Sequence, residues 1–248
     1  TFMNVALHYI MADLNISVST VQWLSTGYML ATAIIIPITA FLIARYTTRT
    51  LFFVAMGLFT IGTTIGCFAT NFPMLLCARL TQGLASGIIT SLMQIVFLTI
   101  FPIEKRGFAM GIVGIVLAFA PAIGPTLSGW ILNSYSWRHL FYVTWPFAVI
   151  DLILGYFLLK NVTETQKVGL DIISFIASSI GFGALLYGFS NAGNYAWSNI
   201  LVYLPIIIGV LVLIFFVYRQ LKSDNPMLDL RVFKSTVYTF STLLVMIA

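Results

Sequence analysis

The stretch LLCARLTQGLASG, residues 75–87, carries one arginine inside an otherwise charge-free apolar run. Gln82 and Gly83 follow Arg79 at i+3 and i+4, so the three share one face of a helix. An arginine inside a bilayer is costly unless it meets a protein interior or a watery cavity, which makes Arg79 a candidate functional residue. Pro73 is expected to open this helix, and at 1.5 Å per residue Arg79 then lies roughly 9 Å deep. One reading has its side chain snorkel to the lipid headgroups. The other has it face a cavity, and this is favoured because Ser86, Thr90 and Gln94 continue polar character down much the same side.

The rest of the chain sets that run in context. Of 248 residues, 60% are hydrophobic and 8% charged, against roughly a quarter charged in ordinary globular domains. Mean hydropathy is +1.03. Charge-free runs cover residues 14–44, 50–78, 80–103, 107–137 and 172–218. A span needs about 20 apolar residues, so the last run holds two helices and a turn near 191–199. Barrel strands would alternate over about ten residues, and no such alternation is seen. The expected fold class is all-α: a polytopic transmembrane helical bundle of eight spans and the start of a ninth.

Taken in order, the expected helices are 1–12, 21–44, 51–69, 73–100, 107–132, 139–159, 171–190 and 199–218. The first carries Asn4 and His8 at i and i+4, which either contact substrate or relay a proton, or form a satisfied polar pair between packed helices. The fifth has a ridge of small residues at spacings of three and four, Gly107, Gly111, Gly114, Ala118, Ala122, Pro125 and Gly129, a pattern that lets two backbones approach closely and is also common in ordinary membrane packing. The sixth contains Asp151, roughly 13 Å from the loop at Lys160. A charge at that depth is penalised, so this carboxyl either takes up a proton or serves as a hydrogen-bonded structural group. The seventh and eighth have almost no polar residues at their centres and read as scaffold, followed by a polar loop over 219–234. Cys67 and Cys77 flank one hairpin, where they either pair or act as small apolar side chains.

Arginine and lysine set the orientation. Alternate loops hold Arg45, Arg49, Lys105, Arg106, Lys160, Lys167, Arg219, Lys222, Arg231 and Lys234, while the opposite set holds only Arg138. The richer set is expected in the cytoplasm, which puts the start of the first helix inside. The net charge of +5 is thereby explained by topology; its scattered basic residues give no nucleic-acid surface.

At this point the sequence resembles the major facilitator superfamily, in its branch of fourteen-span drug:proton antiporters of the EmrB/QacA type. LLCARLTQGLASG looks like that superfamily's fourth-helix motif, matching at Arg79, Gln82 and Gly83. APAIGPTLSGWI, residues 120–131, looks like the antiporter motif of the fifth helix, matching at Gly124, Pro125 and Gly129, with Ser128 where a glycine is usual. NVAL, QWLSTGYML and SWRHLFYVTWP resemble further stretches of the branch. Ala44 and Thr47 stand where the gate loop between the second and third helices usually has an aspartate and a glycine; its Arg45 and Arg49 remain, as in a subgroup similar to lincomycin-type exporters. His8 stands where a proline is common.

The resemblance implies a fragment. Residues 1–160 would be the amino-terminal six-helix bundle with a truncated first helix, 161–222 two inserted central helices, and 223–248 a cytoplasmic loop and the start of the carboxy-terminal bundle. It implies alternating access, with proton entry driving export of small amphipathic, often cationic, compounds from a bacterial plasma membrane by a monomer. Arg79 would serve proton coupling or cavity electrostatics with Gln82 in its network, and Pro125 and Gly129 a tightly packed helix that limits proton leak. The acid typical of the first helix would fall before Thr1, leaving Asp151 as the candidate within the chain. No cofactor or metal is expected. The other readings are a transporter of one metabolite and, less favoured, a receptor or channel, whose selectivity loop or charged ring the sequence lacks. An enzyme is disfavoured, since no loop offers a nucleophile–base pair or a phosphate-binding glycine loop.

Overall fold

The helices that open at residues 18, 48, 72, 172 and 200 each begin where a small polar side chain replaces a missing backbone partner. Ser17 accepts from the amide of Thr20 at 3.2 Å, Thr47 from Thr50 at 3.3 Å and Asn71 from Met74 at 2.9 Å. The computed structural model describes residues 2–162, 165, 171–193, 195–223, 226 and 228–247. Thr1, Lys167 and Ala248, which entered the boundaries and the loop charges above, lie outside them.

The described helices are α1 (Phe2–Leu14), α2 (Val18–Arg45), α3 (Thr48–Cys67), α4 (Phe72–Ile100), α5 (Ile103–Ser134), α6 (Arg138–Leu158), α7 (Ile172–Ala192), α8 (Ile200–Lys222) and α9 (Thr236–Ile247), with a short 3-10 turn at Leu230–Lys234. Every regular element among the described residues is helical, and seven of them, α2 to α8, are long and apolar enough to cross a bilayer. The chain is a multi-pass membrane protein. It divides into two compact units, Thr1–Val168 and Gly169–Ala248.

Two helix ends differ from expectation for one reason. Glu104, Lys105 and Arg106, expected in a loop, lie in the first turns of α5, and Arg219 and Lys222, expected in the next loop, lie in the last turn of α8. A helix does not stop at the edge of the hydrocarbon, because its charged turns are solvated beyond it. Glu104 in a first turn and Arg219 and Lys222 in a last turn also suit the helix dipole.

In the first unit, α4 lies between α2 and α3. The approach is closest at three glycines. A Cβ added to Gly83 would sit 2.5 Å from the carbonyl oxygen of Tyr28, one on Gly87 2.2 Å from Ile35, and one on Gly62 2.9 Å from the carbonyl oxygen of Ala78. Through that close approach the Thr32 hydroxyl on α2 donates 3.0 Å to the carbonyl of Gly83 on α4. The ridge on α5 behaves otherwise. A Cβ on Gly107, Gly111, Gly114 or Gly129 would meet nothing within 4 Å. Close backbone approach within this unit therefore belongs to α4 and α3, not to the α5 ridge.

Gly124 and Ser128 are buried in the second half of α5, with Ile131 and Leu132. The Ser128 hydroxyl donates 2.7 Å to the Gly124 carbonyl, engaging a backbone acceptor beside Pro125, which has no amide hydrogen to give. Both cysteines are free thiols, Cys67 buried and Cys77 exposed.

Candidate functional site

Arg79 points inward. Its Nη1 donates 2.8 Å to Oε1 of Gln82, one turn on, and its Nε donates 3.3 Å to the carbonyl of Leu24 on α2. The guanidinium carbon lies 4.3 Å from the ring centroid of Tyr28, a cation–π contact. Gln82, 3% exposed, is oriented from its other end, since its Nε2 donates 2.9 Å to the hydroxyl of Thr63 on α3. Thr63 in turn donates 2.7 Å to the carbonyl of Phe59. A single chain of polar contacts thus links α2, α4 and α3, every partner of the cation being neutral.

The network lines a cavity of about 330 Å³ whose walls include Asn4, Ser25, Tyr28, Phe59 and Thr144. Snorkelling is thereby set aside for Arg79: the side chain lies among protein groups. Of the pair on α1, Asn4 faces this cavity and accepts 2.8 Å from the Ser25 hydroxyl. His8 is exposed, its ring edge-on to Tyr9 at 6.0 Å, and does not line the cavity. The structure separates the two.

Asp151 lines a second cavity, about 310 Å³, between α3, α4 and α6. Ser86 and Thr90 line it too, so the polar face of α4 read from the sequence runs from one cavity into the next, while Gln94 does not take part. Phe59 and Thr144 belong to both cavities. Arg79 and Asp151 therefore stand in adjoining compartments.

Of the gate-loop pair, Arg45 is exposed. Arg49 instead ties α3 to the end of α6, donating 2.8 Å from Nη2 to the Tyr156 carbonyl while Asn161 accepts 3.1 Å from the Arg49 amide. Its guanidinium also lies 5.3 Å from the Tyr156 ring centroid. At the opposite end Asp13, Trp137 and Arg138 form a clasp that no motif announced. The Asp13 carboxylate accepts from Trp137 Nε1 and from Arg138 Nη1, both at 3.0 Å, and Arg138 Nε donates 3.0 Å to the Ala69 carbonyl. Three hairpin ends meet there.

The second unit also holds polar chemistry that the scaffold reading of α7 and α8 left out. Asp171 accepts from two of the Arg219 nitrogens, Nε at 3.1 Å and Nη2 at 3.0 Å, and accepts 2.5 Å from the Ser174 hydroxyl. Buried Gln220 donates 2.7 Å to Ser174 and accepts 3.0 Å from the amide of Leu228. Arg219's hydrogen bonds outweigh the opposing desolvation, and Ser174 adds to them, so the Asp171 carboxyl is pulled down to about 2. Among the described residues no three His, Cys, Asp or Glu side chains gather as a metal site.

Comparison with known proteins matches residues 1–247 to the model of the Major Facilitator Superfamily. The chain belongs to that superfamily. Within it, the chain is 55% identical over 244 residues to the uncharacterized MFS-type transporter YcnB of Bacillus subtilis strain 168, covering 98% of this chain and 52% of the relative. It is 44% identical to the lincomycin resistance protein LmrB of the same organism, covering 100% and 52%. To the probable multidrug resistance protein EmrY of Escherichia coli strain K12 it is 32% identical, covering 96% and 47%. The chain spans about half the length of the curated relatives it matches. Superfamily membership agrees with an all-helical chain of several membrane spans. It leaves the partners Ser25, Tyr28 and Thr63 to be found from the fold.

Proposed function

We propose that the protein of which this chain forms part is a proton-coupled exporter of small amphipathic, often cationic, compounds, working by alternating-access antiport. The observation that carries the reading is Arg79, a cation within a membrane helix that lines a cavity and has only neutral partners. A charge held that way biases the cavity against cations until a proton or substrate changes its surroundings, which is the coupling an antiporter needs. Relatives named for lincomycin and multidrug resistance favour export over uptake. The matches of Gly124, Pro125 and Gly129 to the antiporter motif favour proton exchange.

In this reading Arg79 and Gln82 set the cavity's electrostatics, Asp151 is the membrane-embedded carboxyl, and the start of α1 lies on the cytoplasmic side of a bacterial plasma membrane. Residues 1–160 act as one rocking bundle, 161–222 as inserted helices, and 223–248 as the entry to the other bundle. The protein works as a monomer without a cofactor. Transport of a single metabolite, inward or outward, is the second reading, and the variety of resistance names among the relatives ranks it lower.

The test uses the full-length protein in inverted vesicles whose lumen has been acidified. Addition of ethidium should release the pH gradient with wild type, and release should fall to the empty-vesicle level with Arg79→Ala. No proton movement with any of a panel of lipophilic cations, in sealed vesicles containing folded protein, sinks the antiport reading.

A further inference from the structure

The polar groups around the cavity of Arg79 are unevenly committed. Two of its acceptors are taken: Gln82 Oε1 accepts 2.8 Å from Arg79 Nη1, and Asn4 Oδ1 accepts 2.8 Å from the Ser25 hydroxyl. Several of its donors are not. A guanidinium carries five N–H hydrogens. Among the described residues, the one on Nε meets the Leu24 carbonyl and one on Nη1 meets Gln82, while those of Nη2 meet no acceptor. The amide nitrogen of Asn4, on an exposed side chain that faces the same cavity, is likewise uncommitted. No acidic side chain is among the lining residues, and the ion pairs among the described residues are Asp13–Arg138 and Asp171–Arg219. The rest of the wall is largely apolar, with Met3, Phe59 and Phe141.

We infer that this cavity is a binding site for the carboxylate of an amphipathic organic compound, with Arg79 Nη2 and Asn4 Nδ2 as the donors that receive it. Spare donors call for an oxygen acceptor, and a cation whose charge no neighbour cancels calls for an anionic one. In a low-dielectric interior that attraction is far stronger than in water. The planar fork of a guanidinium matches the two oxygens of a carboxylate, which selects this group over a spherical halide. The apolar wall takes the remainder of the compound. At about 330 Å³ the cavity falls in the range of about 300–1,000 Å³ that small-molecule sites occupy. The site deepens the export reading and rests on it only for the delivery of substrate to the cavity. It narrows the substrate class: a cationic compound admitted beside Arg79 is one that also carries a carboxylate.

The experiment measures equilibrium binding of three probes that share one ring system, naphthylacetate, naphthylacetamide and naphthylethylammonium, to the full-length protein in nanodiscs. Wild type should bind the carboxylate at least tenfold more tightly than the ammonium, with the neutral amide between them. Arg79→Lys keeps the charge and loses the fork, and should weaken carboxylate binding at least fivefold. Asn4→Asp, of the same size and at an exposed position, sets a negative charge against the ligand and should weaken it at least tenfold, bringing carboxylate and amide close to equal. Absent carboxylate binding by wild type, as when another segment of the full-length chain presents its own carboxylate to Arg79, overturns the site. So does equal binding of carboxylate and ammonium, or carboxylate binding unmoved by Asn4→Asp in folded protein. Proton release run in parallel separates the two claims. Carboxylate binding that depends on Asn4, without proton movement driven by any lipophilic cation, sinks antiport and leaves the site. Cation-driven proton release by a wild type that binds no carboxylate does the reverse.

Discussion

Arg79 and Arg138 are the same guanidinium treated in two ways. Arg138 sits at a rim, 27% exposed, with the Asp13 carboxylate at 3.0 Å and the Trp137 ring 4.2 Å from its carbon. Its charge is cancelled locally, and the geometry does structural work. Arg79 lies in the middle of the bundle with a glutamine, a backbone carbonyl and a tyrosine ring, none of which carries a negative charge. Those groups satisfy its hydrogen bonds without cancelling its field. The difference teaches that a membrane bundle pays in solvation for a cation it needs, and pairs the cations it merely tolerates.

The comparison breaks most sharply if the inner arginine is made to resemble the outer one. Gln82→Glu puts a carboxylate oxygen where Oε1 now accepts from Arg79 at 2.8 Å. Dye-driven proton release should fall at least tenfold, while the melting temperature of the purified protein should not drop by more than a few degrees. Unchanged transport would mean that the uncancelled charge is not what the cavity uses.

A third arginine, in the second unit, tests the structural half of the contrast. The Asp171 carboxyl, held at about 2 against an ordinary 3.8, has its pKa depressed in the folded state. Its contribution is therefore complete above about pH 4 and is lost as pH falls through about 2. With Arg219 38% exposed, solvent screening reduces that contribution to about 1 kcal/mol. Asp171→Asn should cost that much at pH 7, and the gap between variant and wild type should close toward pH 2, as read from thermal unfolding in detergent.

The smallest effect belongs to the rim. The Asp13 and Arg138 side chains are 47% and 27% exposed, so Asp13→Asn should cost under about 1 kcal/mol and should leave proton release unchanged. A large transport defect there would show that the clasp moves during the cycle and is not a fixed tie.

The helices were legible because membrane spans announce themselves by what they exclude, and the expected bounds of α2, α3, α4 and α6 lie within a few residues of those observed. Arg79 and Gln82 were legible because both lie on one helix at a spacing that puts them on one face. Tyr28, Thr63 and Ser25 were not: each meets its partner across a helix interface, and periodicity along one helix carries no record of what faces it. Asp171 escaped for the same reason, its arginine lying 48 residues away. The glycines misled in a different manner. The α5 ridge is the denser pattern, yet the backbones meet at Gly83 and Gly87 on α4, because a small residue only permits an approach and a neighbouring helix has to make it.

The clasp at Asp13 and the Arg49 tie have a mechanical consequence when taken together. One end of the first unit is bound where three hairpins share the Asp13 carboxylate and the Ala69 carbonyl. The other is bound where α3 holds the tail of α6. With α3 and α6 tied at both their ends, a push on either helix is passed to the other along its whole length.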